Sequence, residues 1–198
     1  MQLKEDILRA QSAEARTAEE TMNTLKHGMR GHHIPAYIEE ILTHNYCPYF
    51  VRMTMVREGD SYSFSYRPGN LKRLDLTSLD AYGKLLLLRS VMTINEVTRN
   101  YLIGAENYLI EPELIYSTGN STLAKDLKVL FYPDIRRIGF PQKMMHFTER
   151  IRDEHRRDEN ELLTIFRDIM ETDDINKGKM FLDKQILRIE SRSLKKAG

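Results

Sequence analysis

The sequence predicts a mixed α+β chain, a small antiparallel hairpin followed by a mainly helical part, and three observations carry that prediction. Residues 49–66 alternate apolar and polar side chains along two consecutive stretches. Residues 85–97 place a wide apolar surface at helical spacing, and helical patterns fill most of the chain after residue 142.

Taken in order, residues 3–29 are rich in Ala, Glu, Lys, Gln and Met, all good helix formers, and Gly31 stands where a C-terminal cap belongs. Their apolar positions, Leu3, Ile7, Ala18, Met22, Leu25 and Met29, are sparse until the end, so a leader helix over residues 1–31 would pack through its C-terminal half. A solvated helix and a docking helix for a partner both fit that pattern. After His32, His33 and Pro35 a short helix spans about 36–44, with Ile38, Ile41 and Leu42 on one face. The two histidines lack Cys or further His at ligand spacing and read as a loop pair rather than a metal site.

Tyr49, Val51, Met53 and Met55 form the first arm of the hairpin, and Tyr62, Phe64 and Tyr66 alternate with serines in the second. Arg57-Glu58-Gly59-Asp60 supplies the turn. From an N-cap at Thr77 or Ser78 a long core helix reaches about Leu102. Short β pieces follow near Tyr108–Ile110, Leu114–Tyr116 and Leu127–Tyr132, then helices over about 142–156, 159–170 and 176–192. The run Asp153–Glu161 mixes both signs at helical spacing and reads as a solvated face, His155 included.

Composition narrows the function. Apolar residues make up 41% and charged residues 30%, a globular balance. A net charge of +1 with interspersed signs is too small for the basic field that nucleic-acid binders use. Cys47 is the single cysteine and has no partner for an internal disulfide. The start, MQLKEDILRAQ, lacks the apolar core of a signal peptide, and the longest apolar stretch is far short of the roughly 20 residues a membrane span needs. The expectation is a cytoplasmic chain that meets membrane only through a segment outside it.

The segment from Tyr101 to Tyr132 combines the end of an apolar helix, the loop NYLIEPELIYS, a small turn and the strand KVLFY. It resembles the catalytic loop of a protein kinase, in which a Pro follows the catalytic Asp by three positions, an Asn lies two further on and a strand pair leads to Asp-Phe-Gly. With Pro112 set on the loop proline, Leu109 stands at the position of the base and Leu114 at that of the magnesium-binding Asn. Tyr132-Pro133-Asp134 falls where Asp-Phe-Gly belongs, so Tyr132 replaces the second metal ligand. The hairpin turn, with Gly59 alone, offers no glycine-rich phosphate loop. The resemblance therefore implies a reduced kinase-like fold with no catalytic residues, cofactor or metal. An unusual nucleotide switch would have only Asp134, Asp173 and Asp174 as metal ligands, and Asp173-Asp174 reads better as an N-cap.

Cys47-Pro48-Tyr49-Phe50 with its hairpin, Ile94-Asn95-Glu96-Val97, Glu111-Pro112-Glu113-Leu114-Ile115 and the helices after Gln142 are similar to the cytoplasmic pseudokinase-like domain of EssB/YukC. That family belongs to the type VII secretion machinery of Gram-positive bacteria. YLIGAENYLIEPELIY followed by KVLFYP is equally similar to pseudokinase-like domains that precede FHA domains in Firmicutes. Either resemblance implies a pseudokinase-like domain over residues 32–175. The first implies a scaffold whose partners are other secretion components or a second copy; the second implies a signalling module. Lys184, Arg188, Arg192 and Lys195 or Lys196 make a basic stripe along residues 176–198, which in the first family would lie beside a membrane span. The expected interaction surface is the edge and serine face of the hairpin, around Tyr62, Phe64 and Tyr66, with Met22 and Leu25 of the leader helix as the second candidate.

Overall fold

A computed structural model describes residues 25–30, 34–153 and 155–197. Among them the chain is mixed α+β, with five α-helices and two three-stranded antiparallel sheets. It divides into two compact units, the first formed by the residues up to Tyr46 with Val51–Asn70, the second by Cys47–Phe50 with the residues from Leu71 onward.

In the first unit, β2 (Met53–Glu58) and β3 (Ser61–Tyr66) form the hairpin read from the alternation. Glu58 pairs with Ser61, leaving Gly59 and Asp60 as the loop. Gly59 takes φ +58, a conformation that a side chain would oppose. Tyr62, Phe64 and Tyr66 are buried, as are Met53 and Met55, while Thr54 and Val56 of the other face are exposed. The pleat thus sorts apolar from polar at a period of two. Helix α1 (Ala36–Thr43) buries Ile38 and Leu42 and packs beside β2.

The leader-helix reading fails where it can be followed. Leu25–Arg30 is a strand, β1, antiparallel to β3, with Leu25 opposite Tyr66 and Arg30 opposite Ser61. A row of backbone groups on the edge of β3 outweighs a helix propensity that Gly28 already weakens. The rest of that helix, Met22 included, lies outside the described residues, as do His32 and His33.

In the second unit, the core helix α2 (Ala81–Asn100) buries Leu85, Leu87, Leu88, Val91, Met92 and Ile94. Its N-cap is Asp80, whose Oδ1 accepts the Gly83 N–H at 2.8 Å, not Thr77 or Ser78. Those two residues fold back on Asp75 instead: Thr77 N–H and Oγ1 both donate to Asp75 Oδ1, and Ser78 Oγ donates to Asp75 O. These bonds, the Thr77 hydroxyl first, hold the Asp75 carboxyl below its usual range.

The second sheet orders β4 (Lys72–Arg73), β5 (Ile115–Ser117) and β6 (Leu127–Val129). Phe50 bridges Val129 in parallel, with the Val129 N–H on Tyr49 O at 2.7 Å, so Cys47–Phe50 leaves the hairpin arm in which the sequence placed Tyr49 and extends this sheet. Helices α3 (Phe140–Arg150), α4 (Arg157–Glu171) and α5 (Ile175–Ala197) complete the unit, α5 packing along both α2 and α4. Asp174 Oδ1 accepts the Lys177 N–H at 2.8 Å, the cap expected of the Asp173-Asp174 pair. No helix among the described residues is long and apolar enough to cross a membrane.

Candidate functional site

The segment whose sequence resembles a kinase catalytic loop begins where α2 ends. Ile103 N–H returns to Thr98 O at 3.0 Å, and exposed Leu102 takes φ +60 to make the reversal. Two 3-10 turns, Ala105–Asn107 and Pro112–Leu114, then shape the loop. The chain after β6 runs back along it: Leu130 N–H donates to Leu114 O at 2.8 Å, Leu109 N–H to Tyr132 O at 2.8 Å, and Asp134 N–H to Asn107 O at 3.2 Å. Leu109 and Tyr132 are therefore backbone neighbours, and Leu114 is held by the next of these bonds. The β piece predicted at Tyr108–Ile110 survives only as these bonds and an isolated Tyr108–Pro133 bridge, while the piece predicted at Leu127–Tyr132 is strand β6 over its first three residues and these bonds beyond.

Behind the loop, Tyr108 is edge-on to Phe50 at 5.1 Å between ring centroids, and Phe131 lies 5.6 Å from Phe50. Burial pushes the Tyr108 phenol well above its ordinary pKa, and its hydroxyl sits 3.3 Å from Thr98 Oγ1. This cluster is a packed floor, with no group poised to exchange a proton.

Charge enters from α3. Pro141 at the start of the helix and the spacing of Phe140, Met144 and Phe147 turn one side inward, and Lys143 falls on that side. Its side chain is only 3% exposed. Nζ donates to Ala105 O at 2.5 Å and to Tyr108 O, and lies 2.7 Å from Asp134 Oδ2, in ion-pair contact but off the direction of a hydrogen bond to that oxygen. The other oxygen, Oδ1, accepts the Arg136 N–H at 3.0 Å. Burial pushes the Asp134 carboxyl up, but Lys143 and the Arg136 N–H more than reverse it and leave the carboxyl below its usual range. Burial likewise pulls the Lys143 ammonium down, with Asp134 opposing. One buried ammonium thus ties the loop, the end of the returning segment and α3 together.

The loop acids are also taken up. Arg150 of α3 pairs with Glu111 at 2.6 Å and with Glu113, and Arg136 approaches Glu111 at 3.9 Å. Asp134, which the sequence resemblance set in place of Asp-Phe-Gly, is committed to Lys143, while Asp173 and Asp174 sit at the head of α5. Among the described residues no group of three or more His, Cys, Asp or Glu is arranged to hold a metal ion.

Of the residues singled out for interaction, Tyr62, Phe64 and Tyr66 are 2%, 0% and 0% exposed, so they form core and not a docking surface. Leu25 stands in β1, on the edge of β3 that a partner strand would otherwise use. Lys184, Arg188, Arg192 and Lys195 are exposed along α5, beside Met180, Leu187 and Leu194, which are 72%, 63% and 75% exposed. Sequence reasoning passed over Lys143, Arg136 and Arg150. For Lys143 a signal existed, since Phe140, Lys143, Met144 and Phe147 occupy one helical face.

Comparison of the sequence with protein-family models and with curated proteins finds no match.

Proposed function

We propose that this chain is a non-catalytic interaction domain of kinase-like ancestry, serving as a cytoplasmic scaffold of a type VII secretion apparatus of the EssB/YukC kind. The observation that carries the non-catalytic part is the ladder joining Leu109, Leu114 and the segment ending at Tyr132. In a kinase the base and the magnesium ligands must converge, because phosphoryl transfer is positioning and charge stabilisation. Here the positions that the resemblance sets there carry two aliphatic side chains and a phenol, with Leu109 bonded to Tyr132 and Leu114 to Leu130 through the backbone. Asp134 pairs with Lys143, and Glu111 and Glu113 pair with Arg150, which supports a reading in which the charges around the loop serve packing.

The secretion assignment rests on the sequence likeness of residues 34–175. Its test is affinity capture with the secretion ATPase and the membrane components of such a system. Enrichment over an unrelated cytosolic domain supports the assignment, and equal recovery sinks it. The second reading, a signalling module beside an FHA domain, is favoured by the loop after β6, where Asp134-Ile135-Arg136-Arg137-Ile138-Gly139 only approximates the arginine and glycine pattern of the secretion family. The coding sequence beyond Gly198 separates the two: an apolar span followed by an extracytoplasmic region supports the first, a β-rich FHA domain the second.

A further inference from the structure

We propose that the outward face of α5 is a docking surface for an anionic lipid bilayer, with Met180, Leu187 and Leu194 entering the interface and the basic side chains beside them meeting phosphate headgroups. The three apolar side chains are 72%, 63% and 75% exposed. Seven residues fall only about 20° short of two helical turns, so the three form one row about 21 Å long, on the side of the helix turned away from buried Leu182. Lys177, Lys184, Arg188 and Lys195 lie along one flank of that row, with Arg192 further round the same side, and all are exposed. None of these side chains has a partner among the described residues. The acids of α5, Asp183 and Glu190, lie on the opposite flank and are turned to α2. Arg89 Nε donates to Asp183 Oδ1 at 2.6 Å, and Glu190 Oε1 accepts the Tyr82 hydroxyl at 2.7 Å. A chain whose net charge is only +1 thus presents an unpaired basic flank along one helix.

The charge and the narrowness of the face select the occupant. A stable protein interface takes roughly 800 Å² from each partner, and a single row of three apolar side chains supplies little of that. A helical partner would need a second apolar row beside the first. The positions three further on hold Asp183 and Glu190, and those four further on hold Lys184 and Ser191. A bilayer imposes no such minimum, since each apolar side chain entering the acyl boundary and each cation near the headgroups adds its own attraction. The phosphate charge of anionic lipid complements the basic flank, and the acyl boundary, which a nucleic acid lacks, accommodates the apolar row. The contact is made by the chain itself, and it is independent of both the kinase-like and the secretion readings.

Cosedimentation of the full 198-residue chain with lipid vesicles tests it. Vesicles of phosphatidylcholine with about a third phosphatidylglycerol should bind the chain at least about tenfold more tightly than phosphatidylcholine alone, and about 0.5 M salt should remove most of the difference. Lys184→Glu with Arg188→Glu should weaken binding to the anionic vesicles at least about tenfold, whereas reversing two exposed lysines elsewhere, Lys72→Glu with Lys125→Glu, should weaken it less than about threefold. Leu187→Trp introduces the only tryptophan in the chain, and its emission should shift to the blue on addition of anionic vesicles, which a purely electrostatic contact would not produce. All the substituted side chains are exposed, so thermal melting should be unchanged and lost binding will not reflect unfolding. Equal affinity for both kinds of vesicle, an α5 reversal no more damaging than the control pair, or an unmoved tryptophan emission would each overturn the proposal. So would a dimer in sedimentation equilibrium that Leu187→Glu dissolves, which would give the row to a second copy.

Discussion

Lys143→Met removes the ammonium that joins three segments of the second unit while keeping the length and most of the volume of the side chain. What it leaves behind sets the magnitude. The Asp134 side chain is 0% exposed and loses its nearest cation, retaining the Arg136 N–H and a guanidinium nitrogen 3.5 Å away. The carbonyls of Ala105 and Tyr108 lose a donor in a buried setting. Removing one member of a buried ion pair costs about 3–5 kcal/mol, because the other charge stays desolvated. At about 2–4 °C per kcal/mol for a chain of this size, the melting midpoint should fall by about 6–20 °C. Urea unfolding followed by far-ultraviolet circular dichroism gives the free energy by linear extrapolation. Adding Asp134→Asn to Lys143→Met removes the stranded charge and should recover part of the loss, the remainder belonging to the two carbonyls. A loss under about 1 kcal/mol in the single variant, or no recovery in the double, would refute Lys143 as the organising contact of the loop.

Acid should reveal the same pair. The folded-state pKa of Asp134 is lowered, so the folded chain binds fewer protons than the unfolded chain below about pH 4, the ordinary range of the group. Its contribution is present above that pH and lost as pH falls through the folded value, and Lys143→Met should make the acid limb of a stability-against-pH curve shallower. Asp80→Ala, which leaves the Gly83 N–H without its acceptor, should cost about 1 kcal/mol in the same urea assay, as a helix N-cap does. Arg150→Ala breaks contacts to both Glu111 and Glu113, yet its side chain is 49% exposed, and the loss should stay below about 1 kcal/mol. Millimolar ATP with magnesium should move the melting midpoint by less than about 1 °C, whereas a ligand at a hundred times its dissociation constant would add about 2.7 kcal/mol and several degrees. A shift of several degrees would restore the nucleotide-switch reading.

Much of the fold was legible because it is local. The hairpin follows from alternation and one glycine, and α1, α2, α4 and α5 follow from apolar spacing, each within a few residues of its predicted bounds. The predicted caps of α2 missed for a local reason as well: Thr77, Ser78 and Asp80 are all competent N-caps, and Asp75 captured the first two. Strand β1 was not legible, because its conformation is decided by a row of backbone groups on β3, more than thirty residues further along the chain.

The site divides along the same line. Leu109, Leu114 and Tyr132 could be named from a spacing around Pro112, since substitution at a motif position is visible in the residue itself. The contact around Lys143 could not be named so directly. A lysine set among Phe140, Met144 and Phe147 announces a buried charge, and a buried charge requires partners. Asp134 was available in the sequence as one of them. The other two are the carbonyl oxygens of Ala105 and Tyr108, atoms that every residue carries, and only the path of the backbone selects which of them face the ammonium. A pattern of side chains can therefore show that Lys143 must be satisfied, while the turn after Leu102 and the return past Tyr132 decide by what.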